Sequence, residues 1–117
     1  MMATYTKLHL SGSTNGKGIK ITQTATAGDL IHTAVAGTDF DEIWLYAVNS
    51  SAAAVKLTIE WGEHTAPDGN IEVTIPAEAG LVLVIPGLIL ENALDVNAFA
   101  ASANVVMIHG FVNRIVA

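Results

Sequence analysis

Between Val55 and Trp61 apolar and polar residues alternate without a break, Val55, Leu57, Ile59 and Trp61 against Lys56, Thr58 and Glu60. A period of two sends successive side chains to opposite faces of a sheet, so the stretch predicts a strand with one dry and one wet face. The stretch before it departs from that rule: Ile43, Leu45 and Ala47 are apolar, and so are Trp44, Tyr46 and Val48. Both faces of such a strand call for burial, which predicts a mid-sheet position beneath something else. The polar connection from Asn49 to Ala53 predicts a hairpin between the two strands. With that loop, Ala47 lies opposite Val55, and Ile43, Leu45 and Ala47 share the dry face with Leu57, Ile59 and Trp61. A loop one residue shorter turns Trp44 and Tyr46 inward instead.

The rest of the chain repeats units of this kind. Thr4 to Leu10 reads as a first strand, Ser11 to Gly18 as a glycine-rich loop, Ile19 to Thr26 and Leu30 to Val35 as further strands. Ile71, Val73 and Ile75 alternate with Glu72 and Thr74. Leu81 to Ile85 is apolar throughout, which predicts a second strand buried on both faces. Ala93 to Ala101 reads as a strand between turn residues, with a helix over Leu90 to Ala103 as the alternative on alanine content. Val105 to Val112 closes the series. About eight or nine short strands at intervals of roughly 8 to 12 residues predict an all-β fold, an antiparallel β-sandwich or barrel. Loops of unequal length favour a jelly-roll-like sandwich. An immunoglobulin-like sandwich is the near alternative, without the paired cysteines of antibody domains.

With 117 residues the chain is expected to be a single β-sandwich domain spanning 1–117, residues 1–18 forming a partly flexible arm and loop. Composition adds a demand: 51% of residues are hydrophobic and 14% charged, against about 25% charged in average soluble domains. A domain this small buries only about two-thirds of its unfolded surface. Apolar surface is therefore left over, and self-association is the simplest way to hide it. The apolar run Leu81 to Leu90 is interrupted by Pro86 and Gly87 and falls short of the roughly 20 residues of a spanning helix, so no membrane role is expected. The N-terminal stretch lacks the basic-then-apolar order of a secretory leader. A net charge of −6, with Lys7, Lys17, Lys20, Lys56 and Arg114 forming no run, argues against a nucleic-acid partner. The lack of cysteine excludes disulfides and thiol chemistry.

Candidate chemistry is sparse. Gly12, Gly16 and Gly18 around Lys17 lack the spacing of a phosphate loop. Glu63, His64 and Asp68 share one polar loop, which reads as a loop more readily than as a metal site. The histidines His9, His32, His64 and His109 sit on separate segments with no His-x-His pair, and His32 reads as a structural residue. No catalytic, cofactor or metal site is expected, and the chain does not read as an enzyme. Tyr5, Trp44, Tyr46 and Trp61 offer a stacking surface for sugars. The preferred reading places Trp61 in the core and Trp44, Tyr46 and Val48 against another subunit, where aromatic residues are enriched.

The stretch DEIWLYAVNSSAAAVKLTIEWG, followed by IEVTIPAEAGLVLVIPGLIL and a closing FVNRI, resembles the small all-β structural proteins of tailed bacteriophages, above all capsid decoration (cement) proteins. The likeness lies in the Asn-Ser-Ser turn, the Pro-x-x-x-Gly turn and the wealth of Ala, Thr and Val. It implies a homo-oligomer, often a trimer, that clamps the major capsid protein on the outside of the head, a virion location, and assembly in the host cytoplasm. Tyr5, Lys7, Asn15 and Lys17 in the N-terminal arm are then the expected capsid contacts. Phage tail, adaptor and fibre proteins share the style, and a carbohydrate-binding or adhesion module is the rival of a different kind.

Overall fold

The computed structural model of the chain describes residues 3–117. Its strands are β1 (Thr4–Leu8), β2 (Ile19–Lys20), β3 (Asp29–Thr33), β4 (Phe40–Asn49), β5 (Val55–Trp61), β6 (Asn70–Ile75), β7 (Val82–Glu91), β8 (Asp95–Ala100) and β9 (Val106–Val116). Sheet A has the order β1-β9-β4-β7, with short β2 also paired to β9; sheet B has the order β3-β8-β5-β6. Every pairing is antiparallel.

The pairs β2·β9, β3·β8, β4·β7 and β5·β6 are nested around the loop 62–69. The chain is thus one long ribbon doubled at that loop and rolled into two sheets, the jelly-roll form of the antiparallel sandwich. One core fills the space between the sheets. Ile43, Leu45, Ala47, Ile85, Ile108 and Val112 of sheet A meet Ile31, Val55, Leu57, Ile59, Ile75 and Val96 of sheet B, all buried. Ala98 and Ala100 on β8 are also fully buried. Alanine there is a small core residue that lets larger side chains interdigitate, so the helix alternative for this segment is not realised.

Several expectations change. β4 and β5 do not form a hairpin: β4 lies between β9 and β7, and β5 lies between β8 and β6. The connection after Asn49 arches from one sheet to the other. The buried Asn49 side chain holds the arch by donating from Nδ2 to the carbonyls of Ala53, Ile75 and Pro76 at 2.9, 3.1 and 3.1 Å. The dry face is nevertheless the expected one, because an arch sets β4 and β5 face to face across the core and calls the same residues inward.

The uniformly apolar segment Leu81 to Ile85 is not buried on both faces. It opens edge strand β7, and Leu81 and Leu83 are 64% and 47% exposed. The edge position also explains how Pro86 is tolerated within a strand, since its missing N–H is not needed by a neighbour. Glu60, expected in water, is fully buried, as is Thr58.

The cause is the segment 22–28, whose first part, Thr22 to Thr26, is expected from the sequence as the tail of a strand. It leaves the sheet after Lys20 and folds over the outer side of sheet B. Glu60 accepts hydrogen bonds there from the Gly28 N–H and the Thr26 hydroxyl, both 2.7 Å, and Asn97 Nδ2 donates to the Gly28 carbonyl at 3.0 Å. Asp29 fastens the start of the segment through the Thr22 and Gln23 N–H groups at 2.6 and 3.0 Å.

The expected N-terminal arm is tied to the body at several points. β1 pairs with β9, Leu10 is buried, and Gly12 N–H donates to the Ile31 carbonyl at 2.9 Å. Residues 1 and 2 of that arm lie outside the described residues.

Candidate interaction surface

Along β4 burial alternates, with Asp41, Ile43, Leu45, Ala47 and Asn49 inward. Phe40, Glu42, Trp44, Tyr46 and Val48 therefore form a row on the outer face of sheet A. Register places Ile115, Asn113, Phe111, His109 and Met107 of β9 beside them in that order. β1 adds Tyr5 and Lys7, beside Ile115 and Asn113, and β7 adds Ile89 and Leu83, beside Glu42 and Tyr46. Tyr5 is 71% and Ile89 56% exposed, while Trp44, Tyr46, Val48 and Phe111 are half-buried by their own neighbours.

An ordered band crosses this face. The rings of Trp44 and Phe111 lie 6.1 Å apart and 12° from parallel. Lys7 Nζ stands 4.6 Å from the centre of the Phe111 ring, a cation–π contact. On the other side the indole lies against Gly87, where a Cβ would come within 2.8 Å of the Trp44 ring. Gly87 has φ +79°, so both its backbone and its missing side chain suit the contact. The band thus runs from β1 through β9 and β4 to β7. Some of its polar atoms pair within the face: Asn113 Nδ2 and Trp44 Nε1 both donate to Glu42 Oε1 at 2.9 Å. The bond from Asn113, with that from Trp44, holds the Glu42 carboxyl below its ordinary range.

The groups that resemble catalytic machinery lie elsewhere, inside the sandwich. Asp41 is fully buried and accepts from Arg114 Nε at 2.8 Å and Nη2 at 3.0 Å, from the Val35 N–H at 3.2 Å and from His32 Nε2 at 2.7 Å. His32 Nδ1 accepts the Ser11 N–H at 2.9 Å, so the ring proton sits on Nε2 and points at Asp41. Ser11, His32 and Asp41 are the residue types of a hydrolytic triad, but Ser11 meets the imidazole through its backbone. Its Oγ accepts the Thr33 N–H at 2.7 Å. The constellation ties the loop after β1 to β3, β4 and β9 and offers no activated hydroxyl. Burial pushes the Asp41 carboxyl up, yet the bonds from Arg114 and His32 and the Arg114 charge outweigh it and leave it below the usual aspartate range.

Among the described residues no pocket forms, and no three His, Asp or Glu side chains converge as metal ligands. In the loop 62–69, His64 Nδ1 turns to Glu60 Oε1 at 3.4 Å.

The sequence-expected residues fall into two places. Trp44, Tyr46 and Val48, expected between copies, share one face with Tyr5 and Lys7, expected against a capsid. Asn15 and Lys17 stay exposed in the loop 11–18, which ends with Gly18 against the His109 ring. Phe111, Gly87, Glu42 and Asn113 went unselected. The alternation of Met107, His109, Phe111 and Asn113 carried a signal, but only the β4–β9 register shows that it continues the row on β4. Compared with family models, curated proteins and solved structures, the chain finds no match.

Proposed function

We propose that this chain is a non-enzymatic structural protein of a phage virion, a homo-oligomer, trimeric in the reading above, that attaches to the outside of the head and stabilises the capsid. The carrying observation is the outer face of sheet A. It is an aromatic and aliphatic surface on which the Trp44 indole and the Asn113 amide are already paired with Glu42, on a fold whose opposite sheet is partly covered by its own segment 22–28. Such a surface gains by excluding water against another protein. A cement protein needs many modest contacts repeated by symmetry, each stabilising only the assembled shell. Trp44, Tyr46 and Val48, with Tyr5 and Lys7 beside them, form the contact between copies, and the exposed loop bearing Asn15 and Lys17 touches the major capsid protein.

The test is co-sedimentation with purified heads that lack the protein. The wild type is expected to bind and to raise the temperature at which the heads burst. Asn15→Ala is expected to weaken binding while the oligomer persists. Failure of the wild type to bind any head preparation would remove the cement reading. The flat Trp44–Phe111 band favours one alternative, a carbohydrate-binding module that stacks sugar rings. Glycan-array binding by a monomer, lost in Trp44→Ala, would replace the first reading with that one.

A further inference from the structure

We infer that copies of this chain join head to tail, the β1–β2 flank of one against the β7 flank of the next, closing a ring about an axis parallel to the strands. The inference rests on the self-association proposed above and specifies its geometry.

Charge is sorted between the two flanks. Of the five cations, Arg114 is bound to Asp41 and Lys56 to Glu72 at 3.1 Å. The other three, Lys7, Lys17 and Lys20, lie exposed on β1, β2 and the loop between them, Lys7 with its Nζ over the Phe111 ring. On the opposite flank Glu78 stands in the turn before β7 and Glu91 at its end, both exposed, and neither β6, β7 nor the turn joining them contains Lys or Arg. One edge of sheet A is thus basic and the other acidic.

The charges also match in height along the strands. Lys20 lies beside Met107, which lies beside Val48; Lys7 lies beside Asn113, which lies beside Glu42. On the far edge, the Glu78 N–H donates to the Ser51 carbonyl at 3.0 Å, and Glu91 lies beside Phe40. Measured along β4 and its continuation, the cations stand level with residues 48 and 42 and the acids with about 51 and 40. Rotation about an axis parallel to the strands preserves these heights. It brings Lys20 toward Glu78 and Lys7 toward Glu91 with offsets of roughly 7 to 10 Å at the rise of a strand, a gap that a lysine and a glutamate side chain reaching toward each other can span.

A two-fold axis across the strands instead reverses the heights or sets like flank on like, so only axes parallel to the strands keep the match. Non-identical complementary patches make a heterologous contact, which closes as a ring where the rotation per copy is a whole fraction of a turn with no shift along the axis. Apolar groups accompany the charges. β7 carries no charged residue from Val82 to Leu90, unlike the charge-protected edges of solitary sheets, and Leu81 and Leu83 are exposed on it. Tyr5 protrudes from the other edge. The ring curves with sheet A inward, because that sense buries the aromatic band and the opposite sense leaves it in water.

Sedimentation equilibrium of four proteins tests this: wild type, Lys7→Glu with Lys20→Glu, Glu78→Lys with Glu91→Lys, and the fourfold swap. Each double reversal is expected to weaken association by at least about tenfold, or about 1.4 kcal/mol, and the fourfold swap to restore it. The Glu78→Lys, Glu91→Lys chain is the sharper arm. It lowers the net negative charge, which by itself favours association, yet it is expected to dissociate. An oligomeric wild type indifferent to both reversals, or reversals that the fourfold swap fails to rescue, would overturn the flank contact and leave self-association standing. A wild type that stays monomeric at every concentration would overturn both.

Discussion

Asp41 receives bonds from β3, β9 and the backbone of the β3–β4 loop while lying out of contact with water. Its carboxyl titrates below the usual aspartate range in the folded chain, because its donors outweigh the cost of burial. The sign follows: the stabilisation is complete above the unfolded aspartate value of about 3.9 and is lost as pH falls through the lower folded value. Glu60 and Asp29, also held down against burial by N–H and hydroxyl donors, act in the same sense. Asp41→Asn is expected to cost about 3 kcal/mol at pH 7, the low end for a broken buried pair, because the Arg114 side chain is 30% exposed. Urea denaturation checks both parts: the gap between wild type and variant should be full at pH 7 and shrink steadily below about pH 4. A gap unchanged at low pH would mean that the cluster does not stabilise through its charge. In the sequence His32 stands nine residues from Asp41 and far from Arg114, so only the long-range pairing of β4 with β9 makes them neighbours.

At the scale of elements, the segment 22–28 decides which side of the sandwich is finished. Gly28 packs so tightly on β8 that a Cβ there would overlap the Ala98 carbonyl. Gly28→Ala is therefore expected to lift the segment and expose Glu60 and Thr58. Hydrogen exchange should accelerate across residues 22–28 and 58–60 while the amides of β4 and β9 stay protected. Unchanged protection of 58–60 would show that the segment is not what covers them. The Asn49 arch teaches a related point. Alternation along β4 and β5 was legible as strand and as facing, but a polar turn between two strands suits a hairpin and an arch equally. The choice falls to whether the side chain of Asn49 serves its own turn or reaches the carbonyls of Ile75 and Pro76.

At the scale of the whole molecule the two outer faces differ. Sheet B carries its own cover and the exposed Lys56–Glu72 pair, while sheet A presents Trp44, Tyr46, Phe111 and Ile89. If that face meets copies of itself, folding and association are linked, and the midpoint of thermal unfolding should rise with protein concentration. Trp44→Ser with Tyr46→Ser is expected to abolish that concentration dependence and to keep the β-rich circular dichroism, since neither side chain belongs to the core. A wild-type midpoint independent of concentration over a hundredfold range would speak against an apolar self-contact.

By itself the sequence determined that the chain is all-β, that β4 and β5 are strands, and that Ile43, Leu45, Leu57 and Ile59 face a common core, because alternation with period two is a local property. It also recorded an excess of apolar surface. Tertiary structure alone decided where that excess emerges: at the edge on β7 and on the outer face of sheet A, with Glu60 covered instead. A run such as Leu81 to Ile85 states how much burial it needs, whereas the source of the burial depends on which strands become edges and which segments fold across a sheet. That is settled by pairings between residues distant along the chain.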